Sequence, residues 1–187
     1  MNTPAHVVIN LLCLGRSGQS LKPIVLGALM PDAPMVVFYA VEKLRGTAEG
    51  IIWGQSYYQP HWQNFIDFFN SIPLILVGLA IATTIGSTAG IALLASMLLH
   101  VLEDLPVHHD DAHRHFYPLS NWRFESPVSY WDADHYGGIV SMLEILVVLA
   151  GCIFLWRIYR TRGARFLLGS IGLLYAGYFI FAFSVWT

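Results

Sequence analysis

Along the chain, long apolar stretches alternate with short polar breaks. Thr3-Pro4 reads as an N-cap followed by proline at the first helical position, and the apolar run behind it, residues 3–14, stops at Gly15. Pro23 opens a second stretch, 23–44, interrupted by Pro31-Asp32-Ala33-Pro34 and ended near Gly46. The run 72–102 is too long for one ordinary span, and Thr83–Gly90 in its middle reads as a turn. It predicts a helical hairpin, 72–85 out and 90–104 back, or alternatively one bent helix. Ile139–Tyr159 has the length to cross a hydrocarbon core of about 30 Å and ends in Trp156, Arg157 and Tyr159, an interfacial anchor. Phe166–Trp186 carries no charge. The pattern predicts an all-α fold: a polytopic helical membrane protein, one integral-membrane domain over 1–187, with about five to six embedded helices and a long polar extramembrane loop, 105–138.

Composition supports this reading. Hydrophobic residues make up 56% of the chain and charged residues 12%, roughly half the charged share of a soluble domain. The formal net charge of −2 leaves no basic footprint, which argues against a nucleic-acid partner. Cys13 and Cys152 sit in apolar runs and read as small core residues, not a disulfide. The opening segment lacks a basic region before its apolar run and does not read as a signal peptide.

Charge also suggests sidedness. Arg157, Arg160, Arg162 and Arg165 lie in one short connection, which the positive-inside tendency places in the cytoplasm together with Arg16 and Lys22. Tracing the helices from there brings His6, Asp32, Asp67, Asn70, His100, Asp104 and the 105–138 loop to the opposite, non-cytoplasmic face. Lys43 and Arg45 count against this orientation, but the clustering on one face does not depend on it. The location expected is a membrane, with lipids as surroundings.

The candidate chemistry sits in that face. His100 and Asp104 are one helical turn apart and share a side, so both can reach one ion; alone, the pair is no more than a polar helix end. Six of the eight histidines fall between His100 and His135. The block includes His108, His109, Asp111, His113 and His135, ligand types suited to zinc first, with manganese or iron as alternatives. The bland alternatives are a solvated loop or adventitious binding of the kind a histidine tag shows. His6 is either a hydrogen-bonded core histidine or a ligand. Asp32 is either a helix N-cap or an acid that needs a metal or cationic partner at membrane depth. Asp67 either caps the helix at Ile72, together with Asn70 and Ser71, or acts as a base. Glu144, inside an apolar span, is a base, an orienting partner or a ligand, and Arg114 or Arg123 suits an anionic group.

The order Thr3-Pro-Ala-His6, Leu29-Met-Pro-Asp32, Asp67-Phe-Phe-Asn70-Ser71 and His100-Val-Leu-Glu-Asp104 resembles the bacterial membrane-bound metal-dependent hydrolases, a group similar to the zinc-dependent phospholipase C superfamily. The resemblance spans most of the chain and implies His6, Asp32, His100 and Asp104 as metal ligands. Many relatives have histidine where this chain has Asn70, a poorer ligand. The block from His108 through Ser126-Pro-Val-Ser-Tyr-Trp-Asp132 to His135 resembles a narrower subgroup of small bacterial membrane proteins and offers replacement ligands. The reading is thus a membrane-embedded metal-dependent hydrolase acting on a phosphoester or lipid-linked substrate, with Asp67, Glu144 and Arg114 as candidate catalytic groups. The alternatives are a non-enzymatic metal-binding or metal-handling protein, and a loop stapled by its own metal.

Overall fold

The computed structural model describes residues 1–16 and 20–186, with side chains through Phe181. Among them the structure is helical, without strands. The first helix, α1 (Thr3–Leu14), starts at Pro4 and stops at Gly15. The stretch 23–44 is not one element: α2 (Lys22–Leu29) and α3 (Ala33–Leu44) are bent by 53° at the break around Pro31 and Asp32. Two prolines spaced three apart account for it, because neither offers an N–H to a continuing helix. A short turn, α4 (Glu49–Ile51), runs into a π-turn at Ile52–Ser56.

The connection between Gly46 and Asn70, for which the apolar pattern predicts no helix, contains one, α5 (Pro60–Phe69). Proline opens it, and Ile66 and Trp62 pack against Phe38 of α3, which gives its apolar stripe a partner. The hairpin is present as α6 (Ile72–Thr84) and α7 (Thr88–Asp104), joined at Gly86 in the left-handed region. Each arm begins on a serine cap, Ser71 accepting from Leu74 N and Ser87 from Gly90 N. Two long helices close the chain, α8 (Gly137–Ile158) and α9 (Arg162–Trp186). Arg157 therefore ends α8 and Arg162 and Arg165 begin α9, so the four arginines line one tight corner rather than a free loop.

Among the described residues, four helical stretches are long and apolar enough to cross a membrane: Pro60–Thr84, Thr88–Val107, Gly137–Ile158 and Arg162–Phe181. The bent α2–α3 pair brings the number to five if it is counted as one span. Their outward faces are apolar too, with Val77, Ile81, Leu143, Ile153, Phe154, Leu173 and Leu174 exposed, a surface compatible with contact to lipid. The core joins α1, α2, α8 and α9 through Val8, Leu11, Ile24, Val148, Leu155 and Leu168. Close approach relies on glycine at two points. A Cβ on Gly27 would stand 2.1 Å from Leu93 O of α7, and one on Gly151 of α8 would stand 2.6 Å from Val8 Cγ1 of α1. These contacts bring the end of α7 against the start of α1 and the α2–α3 bend.

Candidate metal centre

His6, one turn into α1, and His100, near the end of α7, are both fully buried. Their rings stack at 3.5 Å between centroids and 15° between planes. Each ring has one nitrogen tied down: His6 Nδ1 lies 2.7 Å from Glu103 Oε2, and His100 Nδ1 lies 2.7 Å from Ala28 O. A carbonyl can only accept, so His100 donates through Nδ1, and a neutral ring then keeps a lone pair on Nε2. Glu103 orients His6 in the same way.

Both free nitrogens face one carboxylate. His6 Nε2 is 3.1 Å from Asp104 Oδ1, and His100 Nε2 is 3.1 Å from Asp104 Oδ2. Neither Nε2 has a hydrogen-bond partner. Two lone pairs and a carboxylate converging in a buried space repel one another unless something positive lies between them. The donor atoms of His6, His100 and Asp104 all fall within 4.8 Å of each other, a spread that one metal ion can bridge. Imidazole and carboxylate donors suit a divalent ion such as zinc, and ring nitrogens held by acceptors are how metal-binding histidines are oriented. The residues present therefore fit a metal.

Asp32 joins from the bend. It occupies the N-cap position of α3 but makes no capping bond. Its Oδ2 instead accepts from Thr3 Oγ1 at 2.5 Å, and its Oδ1 stands 3.5 Å from His100 Nε2. Asn70, the departure noted above, donates to Pro31 O and Ile66 O and so braces that bend, while its Oδ1 has no partner. The amino group of Met1 donates to Asp104 Oδ1 at 2.5 Å and lies 3.2 Å from His108 Nε2.

The histidine-rich loop is pinned by hydrogen bonds and partly buried. Val107 and His108 carbonyls accept from Tyr130 N and Ser126 N, and Ile72 N donates to His115 O. His113, His115, Ser126 and Ser129 are buried. Its histidines have separate fates. His108 stands between carboxylates, with Nε2 3.3 Å from Asp104 Oδ1 and Nδ1 2.9 Å from Asp111 Oδ2. Burial disfavours its charged form, but these two carboxylates outweigh that and hold its pKa up to about 9. In return His108 keeps Asp111 below the usual carboxylate range against the effect of burial. His113 Nδ1 lies 3.7 Å from Asp67 Oδ1. His115 is a buried neutral ring, its pKa pushed down to about 4 by burial and by nearby His113. His109 and His135 stack on each other, apart from the buried trio.

The candidate catalytic groups hold other parts together. Asp67 is fully buried and accepts from Arg114 N at 3.1 Å and Arg114 Nε at 2.5 Å. Arg114 spends its remaining nitrogens on Asn121 and Asn64, and Arg123 donates to Ala112 O and Gln63 Oε1. Glu144 accepts from Asn2 Nδ2 at 2.8 Å and Tyr175 OH at 2.5 Å, tying α8 to α9 and to the first residues. Sequence reasoning missed Glu103, the orienting partner of His6, although it stands beside Asp104 in the same motif. It also missed Thr3 as the partner of Asp32. Compared with protein-family models, with curated proteins and with solved structures, the chain matches none.

Proposed function

We propose that this chain is an integral-membrane protein of the bacterial inner membrane. It holds one divalent ion, zinc by donor chemistry, on His6, His100 and Asp104, and uses it for hydrolysis of a phosphoester or lipid-linked substrate. The observation that carries the metal reading is the pair of unpartnered Nε2 atoms aimed at one buried carboxylate. Hydrolysis rests on the resemblance described above and on the ligand set. A divalent ion held there supplies Lewis acidity toward a phosphoryl or acyl oxygen and acidifies a water. Glu103 and Ala28 O fix the imidazole orientations, and Asp32, whose side chain is 24% exposed, is the acid at the solvent edge of the cluster. It is the carboxylate placed to accept a proton there.

A non-enzymatic metal-holding role is the second reading, favoured by the internal bonds of Arg114 to Asp67, Asn64 and Asn121 and of Arg123 to Ala112 O and Gln63, which compete with an anionic substrate.

Metal content, measured by plasma mass spectrometry on untagged protein in detergent, tests the first claim. An equivalent of zinc, manganese or iron that disappears in His100→Ala/Asp104→Ala is expected; unchanged metal in that variant would sink the centre. Asp32→Asn separates the two readings. Under the hydrolase reading it abolishes turnover of phosphoester and lipid substrates while the ion stays bound. Under the holding role no substrate is turned over by either protein.

A further inference from the structure

The stacked pair in the loop repeats the construction of the buried one. His109 Nδ1 lies 2.6 Å from Ser126 O, and His135 Nδ1 lies 2.5 Å from Asp132 Oδ2. Their ring centroids are 3.7 Å apart and the planes 23° from parallel. A carbonyl fixes the proton of His109 on Nδ1. The Asp132 carboxylate accepts from Nδ1 of His135 in the same way. With Nδ1 of each ring committed to an acceptor, Nε2 is the nitrogen each stacked ring has left to offer a ligand. Unlike His6 and His100, this pair can be reached from outside, since the His135 side chain is 34% exposed.

The supporting backbone is pinned on both sides. Ser126 N donates to His108 O, Tyr130 N to Val107 O, and Ser129 N to His135 O. Ser126 Oγ donates to Pro106 O. His109 opens the loop and His135 closes it just before α8, so a ligand common to both ties the loop's two ends together.

We propose that His109 and His135 form a second divalent-metal site, separate from the buried centre, whose zinc staples the two ends of the loop. Two oriented imidazoles are a borderline-soft donor set, which selects zinc over magnesium or calcium. Asp132 is the positioning residue, acting through His135. Bound metal stabilises only the closed loop, so it lowers the population of loop-open states.

The test uses the full untagged chain in detergent, stripped by chelator and reloaded with zinc alone. Two equivalents are expected in the natural protein, one in His109→Ala/His135→Ala and one in His100→Ala/Asp104→Ala. Asp132→Asn, which leaves both ligands in place, is expected to weaken the second equivalent about 10- to 100-fold without removing it. Zinc should also slow chymotrypsin cleavage at exposed Leu119, Trp122 and Trp131 in the natural protein and not in His109→Ala/His135→Ala. A natural stoichiometry of one, lost with His100 and Asp104, overturns the loop site while leaving the buried centre. One equivalent lost only with His109 and His135 does the reverse. A second equivalent indifferent to Asp132→Asn is adventitious binding and overturns the proposal. If the double-alanine variant fails to fold, the Asp132→Asn affinity and the zinc-dependent cleavage decide the question.

Discussion

Gly27 links helix packing to the candidate metal centre, so replacing it with alanine perturbs both at once. The added Cβ would lie 2.1 Å from Leu93 O, 2.7 Å from Ser96 Cβ and 3.0 Å from Leu93 C. Two of these are α7 backbone atoms, which cannot rotate away. Relief requires α2 and α7 to part by roughly an ångström, and overpacking of this kind costs about 1–3 kcal/mol. Parting the helices also stretches the buried bonds between them: Ser96 Oγ to Ile24 O at 2.6 Å and His100 Nδ1 to Ala28 O at 2.7 Å. Weakening such buried bonds adds about 1–3 kcal/mol, against about 1 kcal/mol regained because alanine is the better helix former. The net expectation is a loss of about 1–5 kcal/mol. Because Ala28 O sets the orientation of His100, zinc affinity should fall about 10-fold or more. Gly78→Ala is the control: its Cβ would meet only the end of the Leu94 side chain at 3.2 Å, which can turn aside. Thermal unfolding in detergent and a competitive zinc titration measure both effects. A Gly27→Ala protein matching Gly78→Ala in stability and zinc affinity would refute the coupling of helix approach to the site.

Two further expectations concern the loop. Arg114→Ala leaves the fully buried Asp67 carboxylate without its 2.5 Å partner, and breaking such a pair costs about 3–5 kcal/mol. Faster proteolysis between residues 110 and 125, with the helices intact by circular dichroism, is the expected result, and unchanged cleavage would show that Arg114 does not anchor the loop. His115 governs the acid side. Its folded pKa, pushed down to about 4, lies below the ordinary histidine value near 6.5, so the neutral form is favoured by folding. Its contribution, about 3 kcal/mol, is fully present above pH 6.5 and lost as the pH falls through about 4. His115→Gln should flatten the stability profile in that window, measured by denaturant titration at stepped pH; a variant as acid-sensitive as the natural protein would disprove the assignment.

Helix periodicity made part of this legible before any coordinates. His100 and Asp104 share a face because they are one turn apart, and His6 and Asp32 stand out because polar groups in apolar stretches need partners. Helix α5 was missed although Trp62, Phe65, Ile66 and Phe69 follow Pro60 at helical spacing, because the polar residues between them hid the stripe. The loop histidines were not separable. His108, His109, His113 and His115 lie within eight positions of one another, yet one stands between two carboxylates, one stacks on His135, one faces Asp67 and one is buried neutral. What sorts them is which acceptor each ring nitrogen finds. For His100 and His109 that acceptor is a backbone carbonyl, of Ala28 and Ser126. Every residue has a carbonyl, so no spacing in the sequence marks the ones that fix a tautomer. Residue types can announce that a chain is able to bind metal. Which nitrogens keep a free lone pair is decided by backbone brought close in the fold, and here that depends on glycine at position 27 and on the pairing of Val107 and His108 with Ser126 and Tyr130.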